Sequence, residues 1–431
     1  MIKIVFIGAG SAVFTKNLIL DVLAYTELQD CVLALMDIDA RRLDQIGQLA
    51  RKVVEFKGLR HVKIETHADR RQALAGADYV ITLFRQGGLE ACELDVDIPL
   101  KYGLSQCMGD NMGPGGVFRA LRTVPVLLDV CRDMRAVCPD AWLLNYVNPM
   151  AIVTRALHLA RQPKVLGICH SVVNTAKELS EYCGVRHQEI TYFTAGTNHL
   201  AWYLKLEHQG KDLYPLLREK MLDPQIHARD RVRFEILRHF GCFVTESSYH
   251  FSEYVPYFRK DPRLIEDFGI PAKMGYQWVV KNRKTQDREI DELISGRREI
   301  TQGHSGEYAV DIIHSLETDC ARCVNLNVSN QGMIRNFPPD VCVEVPCLVN
   351  RSGVHPVVVG DLPPQLAALN LTNINVHELA ARAAIHHDRD LAFQAIALDP
   401  LTAAVLSLSQ IRKLTDEMFA SQQPYLHPGF Y

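Results

Sequence analysis

Short apolar runs alternate with helical periodicities along the first part of the chain. Residues 2–7 (IKIVFI) form a β-branched run that breaks at Gly8-Ala9-Gly10-Ser11. Apolar positions Val13, Phe14, Leu18, Leu20 and Val22 follow at helical spacing. A second run at 31–36 (CVLALM) ends at Asp37-Ile38-Asp39, and 41–56 reads as a helix. Further strands are predicted at 62–66, 77–84, 141–145 and 165–169, with a helix at 119–138. Strands buried on both faces and separated by helices predict an α/β fold with a parallel, doubly wound sheet. From about residue 190 the pattern changes to longer strands, at 191–193 and 201–207, and polar helices. The chain therefore divides into an N-terminal domain at 1–190 and an α+β domain at 191–431, without internal repeats or a long linker.

Composition narrows the class more than the chemistry. The 431 residues are 48% hydrophobic and 23% charged, an ordinary globular balance, and exceed what one core organises. A net charge of −3 gives no reason to expect a nucleic-acid or anionic-membrane partner. No apolar run approaches the ~20 residues of a spanning helix, and the first residues are unlike a signal peptide because a glycine turn cuts the apolar stretch short. Twelve cysteines in a chain of this length read as reduced thiols of a cytoplasmic protein.

The turn Gly8-Ala9-Gly10-Ser11 lies where a Rossmann-type dinucleotide loop belongs, between a first strand and a first helix. Glycines there let backbone approach a pyrophosphate that the helix N-terminus stabilises. Val13 replaces the third glycine of the usual pattern. Asp37 closes the second strand, where a carboxylate can accept hydrogen bonds from an adenosine ribose. An acid there favours NAD over NADP, while Arg41 and Arg42 argue the other way. An ordinary strand-turn-helix with a surface aspartate is the plainer alternative.

Polar residues gather at several predicted strand ends. Asp110 and Asn111 precede Gly113-Pro114-Gly115-Gly116, read as a glycine-rich loop meeting a helix. Asn145 and Asn148 follow a buried strand, where open α/β sheets bind ligands. Cys169-His170-Ser171 and Asn198-His199 add a thiol and two imidazoles. A Cys and a His can ligate a divalent ion and leave its shell open for substrate, as Lewis-acid catalysis requires. Each alone equally fits a buried thiol or a hydrogen-bonded core histidine. Residues 245–254 (TESSYHFSEY) concentrate acid–base side chains after an apolar strand at 242–244.

Taken in order, GAGS, MGPGGVFRALRT, NYVNPM, GICHSV, AGTNHLAWY and TESSYHFSEYVPYF resemble glycoside hydrolase family 4, the NAD- and manganese-dependent glycosidases. The likeness continues through HSGEYA, NQGMIRNFPPDVCVEVPCLV and LAALNLTNINV, and so spans almost the whole chain. It implies a second domain like that of lactate and malate dehydrogenases, and a homodimer or homotetramer. It also implies cleavage by NAD+-mediated oxidation at sugar C3, deprotonation at C2, elimination at C1 and addition of water, without net redox change. Cys169 and His199 take the place of the ligands to Mn2+ or another divalent metal. Gly8, Gly10, Ser11 and Asp37 correspond to the cofactor-binding positions, and Asn148 to an amide on the sugar hydroxyls.

His170 stands where phospho-sugar members carry an aspartate that protonates the leaving group. For the C2 base the candidates are His250, Tyr254 and Tyr249, and Asp110 either assists them or caps the glycine-rich segment. The CHS triplet at 169–171 resembles the α-galactosidase and α-galacturonidase members. Gly87-Gly88 lacks the arginine that phospho-sugar members place shortly after such a pair. The expected substrate is an α-galactoside of the melibiose type, with an α-galacturonide as the alternative. A NAD-dependent 2-hydroxyacid dehydrogenase and a non-enzymatic NAD sensor are the rivals outside the family. The segment 354–375 has no assigned chemical role, and 402–414 fits either an interface or the core.

Overall fold

The structure, a computed structural model, describes residues 1–301 and 305–431. Six strands form its parallel half: β1 (Ile2–Ile7), β2 (Cys31–Met36), β3 (Lys63–His67), β4 (Tyr79–Thr82), β5 (Trp142–Asn145) and β6 (Val165–Gly167). Their order, β3-β2-β1-β4-β5-β6, is that of a doubly wound nucleotide fold. Helices Ala12–Val22, Ala40–Phe56 and Gly113–Val137 are among those that cover the sheet. Covering both faces explains why β2 and β4 are buried at every position and read as continuous apolar runs.

Beyond β6 the same sheet turns antiparallel. The added strands are β7 (Ile190–Thr197), β8 (Leu200–His208), β9 (Lys211–Asp212), β10 (Arg322–Ser329), β11 (Cys342–Asn350) and β12 (Gly353–Pro356). The sheet continues as β10-β11-β7-β8-β9, with β12 on β11. The junction rests on Gly167, which pairs with Asn327 of β10. A Cβ on Gly167 would lie 2.7 Å from the Asn327 Cβ and 2.7 Å from the Met150 Sδ. Only glycine lets the two halves of the sheet meet there.

Two local readings change. The sequence Gly113-Pro114-Gly115-Gly116 is not a loop but the first turn of helix Gly113–Val137. Its glycines serve close packing, since a Cβ on Gly115 would lie 2.1 Å from the Gly109 carbonyl and one on Gly116 2.3 Å from Asn111 C. The expected strand at 242–244 is a single bridge from Val244 to Trp202. Segment 402–414 is split between helices Pro400–Val405 and Leu408–Gln422, whose Thr402, Ile411 and Leu414 are buried. All twelve cysteines are free, and Cys320 and Cys323, spaced C-x-x-C, are the exposed ones. Among the described residues no helix is long and apolar enough to cross a membrane.

Candidate active site

The carboxyl ends of β1, β2 and β4 open onto a cleft of about 830 Å³. Gly8, with φ 89°, makes the turn after β1, and a Cβ on it would lie 2.9 Å from the Phe84 backbone nitrogen. Ser11 occupies the N-cap of helix Ala12–Val22 but makes no capping hydrogen bond. The first-turn residues Ala12, Val13 and Phe14 line the cleft, so the donors and the positive end of the helix dipole face it. Asp37 sits at the end of β2, where Oδ2 accepts from the Gly10 N–H (2.7 Å) and Oδ1 from the Asp39 N–H (2.9 Å). Each carboxylate oxygen keeps a lone pair for a ribose hydroxyl. Of the two nearby arginines, Arg42 is engaged with the Gly10 carbonyl (3.1 Å) and Asp287 (3.2 Å). A glycine turn, an uncapped helix start and a free carboxylate face fit a dinucleotide.

A second constellation forms where β6 ends and the β7–β8 hairpin turns. Cys169 follows β6, and His199 occupies the hairpin turn with φ 63°. Their Sγ and Nε2 are 3.2 Å apart. The Glu246 Oε2 lies 3.2 Å from the same Nε2, and its Oε1 is 3.7 Å from the His250 Nδ1. His199, Glu246 and His250 offer ligand atoms all within 4.8 Å of one another. Glu246 also has a left-handed backbone, φ 72°. Two non-glycine residues held in that region at one cluster are the strain expected where geometry is set by function. The donors combine thiolate, imidazole and carboxylate, a set suited to a divalent transition metal, and the buried His250 Nε2 has no hydrogen-bond partner among the described residues.

Neighbouring residues hold this cluster in place. The His199 Nδ1 lies 2.9 Å from the Tyr254 hydroxyl, the outer contact that fixes a ligating imidazole. Asp110 is paired with Arg119 in the interior, and its Oδ1 is 3.5 Å from the His250 Nε2. Glu253 accepts the backbone N–H groups of Cys107 (2.5 Å), Met108 (2.7 Å) and Gly109 (3.0 Å), which pins the Asp110 segment to the turn carrying His250. Asn370 accepts from the Trp202 indole (2.7 Å) and donates to the Leu200 carbonyl (2.7 Å), and Asn373 donates to the Tyr254 carbonyl (3.1 Å). The late segment 354–375 thus fastens the His199 hairpin and the Tyr254 turn.

His170 stands apart, toward the nucleotide cleft. It is paired with Glu307, stacked on Tyr146 (5.7 Å between centroids) and edge-on to Phe14 (6.0 Å). Tyr308 clamps the backbone between the two groups, taking the Cys169 N–H (3.1 Å) and donating to the Cys169 carbonyl (2.5 Å). Asn148 is half-buried after β5 and joins neither network through its side chain among the described residues. Tyr249 is 39% exposed, whereas Tyr254 and His250 are buried. His304, the first residue of HSGEYA, lies outside the described residues.

The electrostatics follow from burial opposed by partners. Burial pushes the Cys169 thiol up, but the His199 imidazolium beside it outweighs this and brings it well below its usual range. Burial lowers His199, yet Glu246 and the Cys169 thiolate raise it to about 10. Glu246 is held far below the usual carboxylate range by His199 and His250 despite its burial. Asp110 is likewise brought to about 2, chiefly by Arg119 and then His250. Burial and the nearby Cys169 push Glu344, on β11, well above a normal carboxyl. His170 is raised by Glu307 against burial.

Two family descriptions match this chain: "Family 4 glycosyl hydrolase" over residues 3–185 and its C-terminal domain over residues 194–402. The chain belongs to glycosyl hydrolase family 4. An α-galactosidase of Bacillus subtilis (strain 168) is 40% identical over 430 residues, 99% of each chain. An α-galacturonidase of the same strain is 31% identical over 427 residues, 93% of each. The fold matches that of a 6-phospho-α-glucosidase from gut microorganisms, solved in complex with NAD and Mn2+, with a TM-score of 0.86 over 99% of both chains at 21% identity. Family 4 membership accounts for a Rossmann-type sheet joined to a second cluster of polar residues within one chain.

Proposed function

We propose that this enzyme hydrolyses α-galactosides of the melibiose type in the cytoplasm, as a homodimer or homotetramer using NAD+ and Mn2+ or a similar divalent ion. The observation that carries the reading is the cluster of half-buried Cys169 and Glu246 around the buried His199, in a chain 40% identical over its length to an α-galactosidase. When bound, NAD+ supplies a hydride acceptor and the metal a Lewis acid at the sugar oxygens. Gly8, Gly10, Ser11 and Asp37 are read as the cofactor-binding residues, Cys169 and His199 as metal ligands joined by Glu246, and Asn148 as a contact to the sugar.

His250 is read as acceptor of the C2 proton, because Asp110 and Glu246 flank its ring and stabilise the imidazolium that results. Tyr254 is read as orienting His199: its hydroxyl lies on the His199 Nδ1, and burial pushes its own proton affinity well above a normal phenol. His170, whose protonated form the Glu307 carboxylate favours against burial, is read as proton donor to the leaving group. We read the chain as domains at 1–190 and 191–431, with the cofactor residues and Cys169 in the first and His199 and Glu246 in the second, so the metal ligands would come from both.

The alternative substrate is an α-galacturonide, which the 31% identical relative supports. Hydrolysis of para-nitrophenyl α-galactoside and of its galacturonide counterpart, with and without NAD+, Mn2+ and reductant, separates these readings. Galactoside cleavage that needs both cofactors and yields no net NADH is expected. Cleavage of the galacturonide alone would change the substrate, and NADH formed from a 2-hydroxy acid without hydrolysis would replace the glycosidase reading by a dehydrogenase.

A further inference from the structure

Helix Met274–Ser295 comes from the second half of the chain yet runs along the nucleotide cleft. Its C-terminal half is fastened to the N-terminal helices. Asp287 accepts from Arg42 (3.2 Å), Asp291 from the Gln45 amide (3.0 Å), Glu289 pairs with Lys16 (3.3 Å), and Lys52 reaches the Ile294 carbonyl. Its other end is held near the catalytic cluster, where Lys273 and Gly275 donate N–H groups to the carbonyls of Gln106 (2.9 Å) and Cys107 (3.0 Å). Gly275 packs closely there: a Cβ would lie 1.6 Å from the Met108 Sδ, so the Met108 side chain would have to move aside. The helix thus spans the cleft from the Asp110 segment to the Asp37 end. Trp278, Val279, Arg283, Gln286, Asp287 and Ile290 line the wall that it forms.

Arg283 precedes Asp287 by four residues, so the two share a helix face about 6 Å apart. Asp287 is fixed to Arg42, and another nitrogen of that guanidinium donates to the Gly10 carbonyl (3.1 Å). Arg283 therefore stands about one turn from the Asp287–Arg42–Gly10 contact, toward the catalytic end of the helix, and lines the same cleft as Ser11 and Ala12. It is exposed on the cleft wall, and among the described residues no carboxylate neutralises it, whereas the Asp287 charge is taken up by Arg42. Trp278 leaves 63% of its surface exposed at the same wall. An exposed indole on the same cleft wall is costly to leave in water and well suited to stacking on a base or ribose.

We propose that helix Met274–Ser295 is the second jaw of the dinucleotide site. Arg283 supplies the guanidinium that faces the diphosphate across from the Gly8–Ser11 turn, and Trp278 supplies an aromatic face to the bound dinucleotide. A planar guanidinium recognises a diphosphate bidentately, which the backbone donors of the opposite wall do not. The inference rests on the NAD reading above, and both side chains are exposed, so their replacement leaves the core intact.

Calorimetric titration of the full chain with NAD+, ADP-ribose and, by competition, adenosine tests the first element. Arg283→Ala is expected to weaken NAD+ and ADP-ribose by about tenfold or more, the size of one charge-assisted contact. Adenosine and Mn2+ binding should be unchanged, and Arg283→Lys should recover part of the loss. Tryptophan emission tests the second element: Trp202 is fully buried and Trp142 half-buried at the opposite end of β5, so NAD+ should quench chiefly Trp278. The quench should vanish in Trp278→Phe. Wild-type NAD+ affinity in Arg283→Ala, or an undiminished quench in Trp278→Phe, overturns the proposal while leaving the cofactor reading intact. Absence of NAD+ binding by the wild-type chain overturns both.

Discussion

Metal uptake at Cys169 and His199 should depend steeply on pH. In the ion-free site burial disfavours both charges, yet thiolate and imidazolium stabilise each other and Glu246 reinforces the imidazolium. Cys169 is therefore ionised at neutral pH, while His199 keeps its proton up to about 10. A divalent ion binds neutral imidazole and thiolate, so at neutral pH it displaces one proton, from His199, and finds the thiolate already formed. At about pH 7.5 that displacement spans about 2.5 pH units, or roughly 3 kcal/mol at about 1.36 kcal/mol per unit. Between about pH 7 and 8.5, log Kd for Mn2+ should fall by about one per pH unit. Below the Cys169 value the thiol regains its proton and the dependence steepens toward two. Titration calorimetry in two buffers of different ionisation enthalpy counts the released protons directly. Glu246→Gln removes the first support of the His199 proton and should flatten the dependence at its upper end. An affinity for Mn2+ that stays flat from pH 7 to 8.5 in the wild type would refute the reasoning.

Three further substitutions probe separate contacts. Cys169→Ser should lose Mn2+ affinity and turnover while NAD+ affinity, measured by calorimetry, stays that of the wild type. Tyr254→Phe removes the hydroxyl on the His199 Nδ1 and should weaken Mn2+ by about 10- to 100-fold, read by titration with the folded state checked by circular dichroism. Asp110→Leu strands the buried Arg119 charge, 5% exposed, and should cost about 3–5 kcal/mol, seen as a lowered thermal midpoint that Arg119→Met partly restores.

Much of the fold was legible because a parallel sheet buried on both faces writes itself as apolar runs. The run at 31–36 coincides with β2, and the turn Gly8-Ala9-Gly10-Ser11 falls where the loop after β1 stands. The glycines at 113–116 misled because flexibility and close packing both select glycine; only the approach of Gly109 and Asn111 tells them apart. Cys169, His199, His250, Tyr254 and Asp110 were visible as polar residues near strand ends. Glu246 was missed although it stands four residues before His250, since a carboxylate inside a polar motif gives no sign of which ring it faces. Glu307 and Glu344 reach the site from strands and loops far along the chain. Asn370 and Asn373 act by fastening the backbone and side chains of the hairpin and the Tyr254 turn, a role with no periodic or compositional signature.

The central claim is glycoside cleavage through a C2 proton abstracted by the enzyme, with no net redox change. Hydrolysis of an α-galactoside in D2O, in the presence of NAD+ and Mn2+, tests it most directly, with the released galactose analysed by NMR at C2. The account predicts deuterium at C2 of the product and no accumulated NADH. Galactose released with its C2 proton fully retained would contradict it.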